Sequence, residues 1–228
     1  MIIGNGLIAN TFQEYKDDKN VLIFASGVSN SREDRKNEFI REYELIKQVI
    51  EAHPQKKFIY FSTVSVFDNS LVASSYIKHK LKIESYIKNN CKYFSVFRLP
   101  IIISRSKNPN TLINFFTNNI LSGVKFKVYR NACRYFLSIN DVLAICSYMI
   151  NNYQDNFIKN IVIDNRISVQ ELVVILERIL NKKALYELVD KGDCYFIENS
   201  VNKTLLNDIG IKQKDYIYSW LNHYYKSV

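Results

Sequence analysis

The segment from Gly4 to Ala9, Gly-Asn-Gly-Leu-Ile-Ala, limits the fold of this chain more than any other. It follows a short apolar stretch and precedes a helical pattern. In such a turn one glycine permits the sharp change of direction and the next lets a pyrophosphate approach the backbone, while a small third residue lets helix and strand pack closely. The segment therefore predicts a dinucleotide-binding turn. Two glycines between a strand and a helix can also be purely structural.

Apolar periodicity along the rest of the chain indicates strands that alternate with helices. Strands are expected at residues 1–3, 21–24, 58–62, 95–99 and 160–163. Helices are expected at residues 7–15, 33–53, 75–88, 110–121, 139–151 and 169–180. The middle strands are nearly continuous apolar runs, which is typical of parallel strands buried on both faces. The pattern predicts an α/β fold, a shortened Rossmann-like doubly wound parallel sheet with a small C-terminal α/β cap.

No repeat, low-complexity tract or linker divides the 228 residues, so a single domain is expected. Residues 1–105 would form the cofactor-binding core. Residues 106–228 would form mostly the cap and return one strand to the core.

Composition and charge exclude some functional classes. No apolar run approaches the roughly 18 residues of a membrane helix, and the glycine turn begins too early to leave room for a signal peptide. The net charge of +9 is spread along the chain, so an anionic small substrate is favoured over nucleic acid. The cysteines lack metal-ligand spacing and are expected to be reduced thiols of a cytoplasmic protein with no metal site: Cys91, Cys133, Cys146 and Cys194.

Tyr76 and Lys80 come thirteen and seventeen residues after Thr63, which lies at the end of a predicted strand. A spacing of four places the Tyr and Lys side chains on one helical face. A nearby ammonium favours the phenolate, so such a tyrosine can exchange a proton with a substrate hydroxyl or carbonyl. The same spacing occurs elsewhere in this chain, and only the position after a hydroxyl-bearing strand end distinguishes this pair. An exposed lysine beside a half-buried tyrosine is the alternative.

Other candidates are weaker. Ser26, Ser29 and Asn30 follow a strand at the edge where doubly wound sheets bind ligands, although a plain turn is equally compatible. Arg134 is a candidate phosphate clamp, with a surface arginine as the alternative. The three histidines, His53, His79 and His223, are expected at the surface.

Taken together, these motifs resemble the extended short-chain dehydrogenase/reductase family, the NAD(P)-dependent nucleotide-sugar epimerases, dehydratases and reductases. The resemblance runs over nearly the full length. It rests on the glycine turn, Ser62–Phe67, Tyr76 with Lys80, Arg98–Pro100 and the segment Arg134–Val142. The string Ser-Thr-Val-Ser-Val-Phe-Asp from Ser62 to Asp68 is particularly similar to 4-keto-sugar reductases.

The resemblance implies roles for individual residues. Thr63, Tyr76 and Lys80 would be catalytic: Thr63 would bind the substrate oxygen, Tyr76 would be the acid/base, and Lys80 would hold the nicotinamide ribose and tune Tyr76. The residues that would bind NAD or NADP are Gly4, Asn5, Gly6, Leu7, Ile8, Ala25, Ser26, Gly27, Ser62, Tyr76, Lys80, Leu99 and Pro100. Those that would bind the nucleotide-sugar substrate are Ser29, Asn30, Thr63 and Arg134. The helices at 33–53 and 75–88 would form a homodimer.

The chain also departs from the family pattern. Between Gly6 and residues 21–24 there is room for only one helix, where the family has two further strands with their helices. Loss of those units is the preferred interpretation. Otherwise residues 21–24 are the ordinary second strand, and a 2′-phosphate of NADP could bind at Ser26, Ser29, Ser31 and Arg32. No acidic residue follows residues 21–24 to hold an adenosine ribose.

The sequence thus favours hydride transfer at a nucleotide-activated sugar. Reduction of a 4-keto sugar is the first expectation and epimerisation the second, with surface-polysaccharide synthesis as the context that the resemblance implies. A non-catalytic relative that uses the same fold as a binding or regulatory module is the rival hypothesis, because the central units are missing.

Overall fold

A computed structural model describes residues 1–31, 33–106, 108–198 and 201–226. Its centre is a sheet of five parallel strands, which are in spatial order β1 (Ile2–Ile3), β2 (Val21–Phe24), β3 (Lys57–Thr63), β4 (Phe94–Leu99) and β9 (Phe157–Asn160). This sheet with its flanking helices is the Rossmann-like α/β fold that the alternating pattern predicts. The last strand comes from the C-terminal part of the chain.

Eight helices connect and flank the strands of the described residues. They are α1 (Leu7–Thr11), α2 (Lys36–Ala52), α3 (Ser75–Asn90), α4 (Leu112–Ser122), α5 (Ile139–Asn152), α6 (Val169–Leu180), α7 (Lys203–Asp208) and α8 (Tyr216–Tyr225). Short 3₁₀ turns cover Gln13–Tyr15, Val64–Phe67 and Asn69–Leu71. Three two-stranded sheets complete the described part: β5 (Ile101–Ile103) with β8 (Phe136–Ser138), β6 (Phe126–Tyr129) with β11 (Tyr186–Val189), and β7 (Cys133–Arg134) with β10 (Ile167–Ser168).

The order of the strands distinguishes the two interpretations of residues 21–24. In the usual dinucleotide-binding sheet the order is 3-2-1-4-5-6, so an ordinary second strand would leave β1 between its neighbours. Here β1 lies at the edge and β2 lies between β1 and β3. This is the order expected when the second and third units are missing and β2 corresponds to the fourth strand of the longer sheet.

The two faces of the sheet are covered by different helices. On one face Leu22 and Phe24 of β2 pack with Ile46 of α2 and Ile83 of α3. On the opposite face Ile23 packs in a larger core that contains Phe12, beside α1, and the buried side of α5. The connection through α1 therefore crosses one face and the connections through α2 and α3 cross the other.

Because of these positions, the connection from β1 through α1 to β2 has an unusual handedness. The steps from β1 to β2 and from β2 to β3 go in the same direction across the sheet, yet their helices lie on opposite faces. Two such connections must have opposite handedness. About 98% of connections between parallel strands are right-handed, and α2 shares its face with α3, so the left-handed connection is the one through α1.

Several expectations need correction or shifted boundaries. The strand expected at 160–163 lies at Phe157–Asn160, because residues 161–163 are buried just beyond the sheet pairing. Cys133 and Cys194 form a disulfide, so these two cysteines are not the reduced thiols that their spacing suggested. His79 is buried, contrary to its expected surface position, because its ring nitrogen contacts a buried carboxylate. Arg32 lies outside the described residues.

Within the described ranges, no helix has both the length and the apolar character needed to cross a membrane.

Candidate active site

The glycine turn follows the carboxyl end of β1, which is the outermost strand at one side of the sheet. Gly4 has a φ of +124°, and a Cβ at this position would lie 2.5 Å from the carbonyl oxygen of Ala25. Only glycine satisfies both conditions, so Gly4 is required by the fold itself. Gly6 has no atom within 4 Å of an added Cβ, and Gly4, Asn5 and Gly6 are all exposed. The backbone at Gly6 is therefore open to a ligand from solvent.

Thr63 and Tyr76 meet at the carboxyl end of β3. Thr63 is the last residue of the strand, and its hydroxyl accepts a hydrogen bond of 3.0 Å from the backbone amide of Ser65. Tyr76 begins α3, where Ser74 caps the helix through the amide of Ile77. The Thr63 side chain lies near enough to the Tyr76 hydroxyl to lower the pKa of that phenol. The structure thus brings together the two side chains to which the motifs assign substrate orientation and proton transfer.

Lys80 lies one turn further along α3, but its ammonium is directed into the protein. Its Nζ lies 3.1 Å from Oε1 of Glu42, on α2, and donates a 2.8 Å hydrogen bond to the hydroxyl of Tyr60, on β3. Glu42 also accepts from the Tyr60 hydroxyl at 2.6 Å and from the amide of Val28 at 2.7 Å, and it contacts His79 at 2.9 Å. Lys80 is thus part of a buried cluster centred on Glu42.

The pKa values in this cluster follow from burial and pairing. Burial alone would raise the pKa of Glu42, but the charge of Lys80 and the hydrogen bonds to the carboxylate outweigh it and lower the pKa to about 2. Burial lowers the pKa of Lys80 against the opposing effect of Glu42. Burial and the charge of Glu42 raise the pKa of Tyr76, while the hydrogen bond from Thr63 opposes them. Tyr76 is therefore a neutral phenol at neutral pH.

The loop after β2 lies over this cluster. A Cβ at Gly27 would lie 2.8 Å from Oε1 of Glu42 and 3.0 Å from Nζ of Lys80, so the ion pair leaves no room for a side chain there. Val28 packs against Tyr76. Ser26 is contacted by the exposed Arg41, whose Nη2 lies 3.3 Å from its carbonyl oxygen.

The remaining residues proposed for this loop lie next to those contacts. Ala25 is partly buried against the glycine turn. Ser29 is exposed and Asn30 partly exposed.

A second ion pair, between Arg98 and Glu84, lies at the strand ends beside Thr63. The hydroxyl of Ser62 donates to Oε1 of Glu84, on α3, at 2.5 Å. Arg98 makes a two-pronged contact with the same carboxylate, through Nε at 3.0 Å and Nη2 at 2.6 Å. Ser62 is therefore directed towards α3. Leu99 and Pro100 continue from this strand end as buried residues.

Arg134, the proposed phosphate clamp, has its guanidinium group engaged within the fold. Its Nη2 lies 2.7 Å from Oδ2 of the buried Asp68, and Nη1 donates to the carbonyl oxygen of Cys133 at 2.6 Å. Asp68 belongs to the loop between Thr63 and Tyr76. Arg134 thus links the C-terminal part of the chain to the loop that carries the candidate site.

A segment at 190–198, here called the strap, holds the same loop from outside. The carboxylate of Asp193 accepts from the amide of Asn69 at 2.9 Å, and Tyr195 packs in a small core with Val64. The disulfide joins Cys194 of the strap to Cys133. The loop between the two candidate catalytic residues is therefore fixed by contacts with residues far away in sequence.

Sequence reasoning missed the acidic residues of the site, although one signal was present. Glu42 comes three residues after Phe39 and four before Ile46, so it lies on the apolar stripe of α2, where a carboxylate needs a buried partner. Glu84 comes one residue after Ile83 and three before Ile87, on the buried side of α3. Nothing in the local pattern links Asp68 to Arg134.

Comparison with known proteins gives matches only at the level of structure. No family model and no curated protein matches the sequence. The dTDP-glucose 4,6-dehydratase of Bacillus anthracis, solved with NAD, is 17% identical with a TM-score of 0.68, over 97% of this chain and 77% of that one. MoeE5, solved with UDP-glucose and NAD, is 14% identical with a TM-score of 0.68, over 90% and 79%. RMD from Pseudomonas aeruginosa, solved with NADPH, is 15% identical with a TM-score of 0.69, over 100% and 98%.

These matches confirm at the level of the fold the resemblance that the motifs carry. These three structures were solved with NAD or NADPH, and two of them are named for, or solved with, a nucleotide sugar.

Proposed function

We propose that this protein is an NAD(P)-dependent enzyme that acts on a nucleotide-activated sugar. The observation that carries the proposal is the meeting of the Thr63 and Tyr76 side chains where β3 ends and α3 starts, at the carboxyl ends of the strands. This edge is where ligands bind in open α/β sheets, and the exposed turn at Gly6 lies on the same edge. The similar structures that contain NAD, NADPH or UDP-glucose support the choice of ligands.

The residues present fit one end of the cofactor better than the other. The open backbone at Gly6 suits a pyrophosphate, and the bound cofactor would supply the hydride. On the adenosine side β1 is an edge strand, so the described sheet lacks the second strand whose end would carry an acidic residue for the ribose. We therefore expect weak to moderate cofactor affinity, with most contacts at the pyrophosphate and nicotinamide.

Reduction of a 4-keto sugar is the preferred reaction, and epimerisation is second. Tyr76 is a neutral phenol in its buried position, so it can give a proton to a carbonyl oxygen that Thr63 orients. Epimerisation additionally needs the same residue to accept a proton from an alcohol. The proposed context is synthesis of surface polysaccharide.

The first test is a titration of the protein with NADH and with NADPH, following energy transfer from aromatic residues to the dihydronicotinamide. Saturable binding in the micromolar range is expected. Oxidation of the bound cofactor on addition of a nucleotide-activated 4-keto sugar would then identify the reaction. Absence of binding of either cofactor up to millimolar concentration would contradict the proposal.

A second candidate is a non-catalytic binding module, and one observation favours it. The ammonium of Lys80, which the resemblance assigns to the nicotinamide ribose, is already paired with Glu42 beneath Gly27. A module of this kind would bind a nucleotide sugar without oxidising NAD(P)H. Calorimetry with UDP-glucose in the absence of cofactor distinguishes it from the enzyme.

A further inference from the structure

The carboxylate of Glu42 is the most highly connected acidic group of the candidate site. It is fully buried, and its two oxygens contact four groups from three parts of the fold: Lys80 and His79 of α3, Tyr60 of β3 and the amide of Val28. A buried carboxylate without such partners would be strongly destabilising. The cluster therefore holds α2, α3 and the loop after β2 in one arrangement.

The pairing determines how Lys80 acts on Tyr76. Its Nζ lies 5.8 Å from the centre of the Tyr76 ring, close enough for an unpaired ammonium to stabilise the phenolate. The negative charge of Glu42 lies 3.1 Å from the same Nζ and cancels most of that effect. Tyr76 therefore lies beside an ion pair whose carboxylate raises its pKa, and not beside an unpaired cation.

The other charged and titratable groups around Tyr76 do not alter the pairing of Lys80 with Glu42. Tyr60 lies within the Glu42 cluster, and burial and the charge of Glu42 raise its pKa well above the usual range. His79 contacts Oε2 of Glu42, whereas Lys80 contacts Oε1. Glu84 is paired with Arg98. The loop after β2 places Gly27 and Val28 against the cluster.

We propose that Glu42 is a positioning residue that acts through Lys80 to keep Tyr76 protonated, so that the proton-donating form of the site predominates at neutral pH. The proposal rests on the proposed function and deepens it, because it assigns the direction of reaction to reduction. The carbonyl carbon of the sugar accepts the hydride that reduced nicotinamide supplies, and the carbonyl oxygen accepts the phenolic proton of Tyr76. Tyr76 then recovers a proton from solvent, so the ketone becomes an alcohol and NAD(P)H becomes NAD(P)⁺.

The test uses the protein without ligand, so it does not depend on the reaction. The titration of Tyr76 is followed by the absorbance of tyrosinate, as the difference between each variant and the same variant with Tyr76→Phe. Glu42→Gln preserves the shape of the side chain and removes its charge. The proton dissociation constant of Tyr76 is expected to rise at least tenfold, which is one pKa unit or about 1.4 kcal/mol.

Two further variants control this result. Glu44→Gln changes an exposed acid on the same helix, paired with Lys47 at 3.5 Å, and is expected to leave Tyr76 unchanged. The double variant Glu42→Gln with Lys80→Gln has no unpaired buried charge, so it guards against misfolding of the single variant. In the double variant the pKa of Tyr76 is expected to be as high as in the parent protein.

Two outcomes would overturn the proposal. One is an unchanged titration of Tyr76 in a folded Glu42→Gln protein. The other is a pKa of Tyr76 in the double variant that is as low as in the single variant, because the effect of Glu42 would then not act through Lys80.

A pH profile links the titration to catalysis. In the parent protein the rate of ketone reduction is expected to stay constant from pH 6 to about pH 9, since protonated Tyr76 is lost only above its raised pKa. In Glu42→Gln the rate is expected to fall within this range as the phenol ionises. A parent that binds no cofactor would contradict the proposed function while the ligand-free titration still reports on Glu42. A parent that oxidises the alcohol as fast as it reduces the ketone would contradict the assigned direction alone.

Discussion

Tyr76 and Lys80 lie one turn apart on α3, yet their side chains have different surroundings. The hydroxyl of Tyr76 contacts Thr63 at the edge of the sheet, whereas the ammonium of Lys80 is committed to Glu42 and Tyr60. A reacting group at this edge would therefore meet two hydroxyls, with the charge pair behind them. In the proposed reaction, proton transfer would depend first on Tyr76.

Replacing the phenol tests that dependence. Tyr76→Phe removes the proton donor and should lower the turnover number by about 100-fold to 10,000-fold. Cofactor affinity should change little, because the ring remains. Steady-state kinetics and the fluorescence titration measure the two quantities. Tyr86→Phe, a change on the same helix away from the site, is the matched control. Equal turnover of Tyr76→Phe and the parent would show that Tyr76 does not transfer the proton.

The two glycines of the first turn can be separated in the same way. Gly4→Ala combines a φ of +124° with a 2.5 Å contact to backbone, so it should lower the free energy of unfolding by about 1–3 kcal/mol or more. Gly6→Ala meets no atom within 4 Å and should leave stability nearly unchanged while weakening cofactor binding. Urea unfolding and cofactor titration of both variants test this, and a loss of stability in Gly6→Ala with unaltered binding would contradict it.

At the scale of elements, the parts with strong local signals were predictable. Helix α6 has the expected bounds, because Ser168 and Glu171 form a reciprocal cap at its start and Asn181 ends it in a left-handed conformation. Strand β2 also matches, as a four-residue run buried on both faces. The strap and its disulfide were not predictable, since Cys133 and Cys194 are 61 residues apart and no local pattern joins them.

The disulfide should contribute to stability as well as to the position of the strap. A cross-link over such a span typically stabilises a fold by about 2–5 kcal/mol. Cys194→Ser should lower the free energy of unfolding by that amount and expose the amide of Asn69 to hydrogen exchange, because Asp193 is no longer held in place. Denaturant unfolding and exchange measurements check the two effects.

The free thiols provide the control for this change. Cys91→Ser alters a cysteine outside the disulfide and should have a small effect. A dithiol reductant should destabilise the parent and leave Cys194→Ser unaffected. Equal unfolding midpoints of parent and Cys194→Ser without reductant would contradict the prediction.

At the scale of the whole molecule, the five-stranded sheet is the shortened Rossmann-like sheet that the sequence predicted. The missing units could be inferred from the short interval between Gly6 and Val21, but the position of β1 at the edge could not, because strand order depends on contacts far apart in sequence. The same holds for the Glu42 cluster, which joins residues from two helices, one strand and one loop. Local periodicity identifies elements, and their assembly depends on partners that it does not specify.

The outer face of α2 and α3 is the proposed dimer surface. Ile40 is 58% exposed and Leu81 41% exposed on these two helices, and both would be covered in a dimer. Ile40→Glu should shift the protein towards monomer by placing a charge in an apolar contact. Light scattering over a concentration series measures this. Val174→Glu, at a similarly exposed position of α6, is the control, and a monomeric parent would contradict the expected dimer.

The left-handed connection through α1 has a consequence for how this sheet compares with the longer one. In the longer sheet the second and third units lie outside the first strand, so a sheet without them keeps every other strand pair. Helix α1 then stays on its original face, and the chain must return to β2 with the rare hand. The interval between Tyr15 and Val21 is therefore the place where the chain, coming from α1 on one face, has to enter a strand next to β1 with the rare hand.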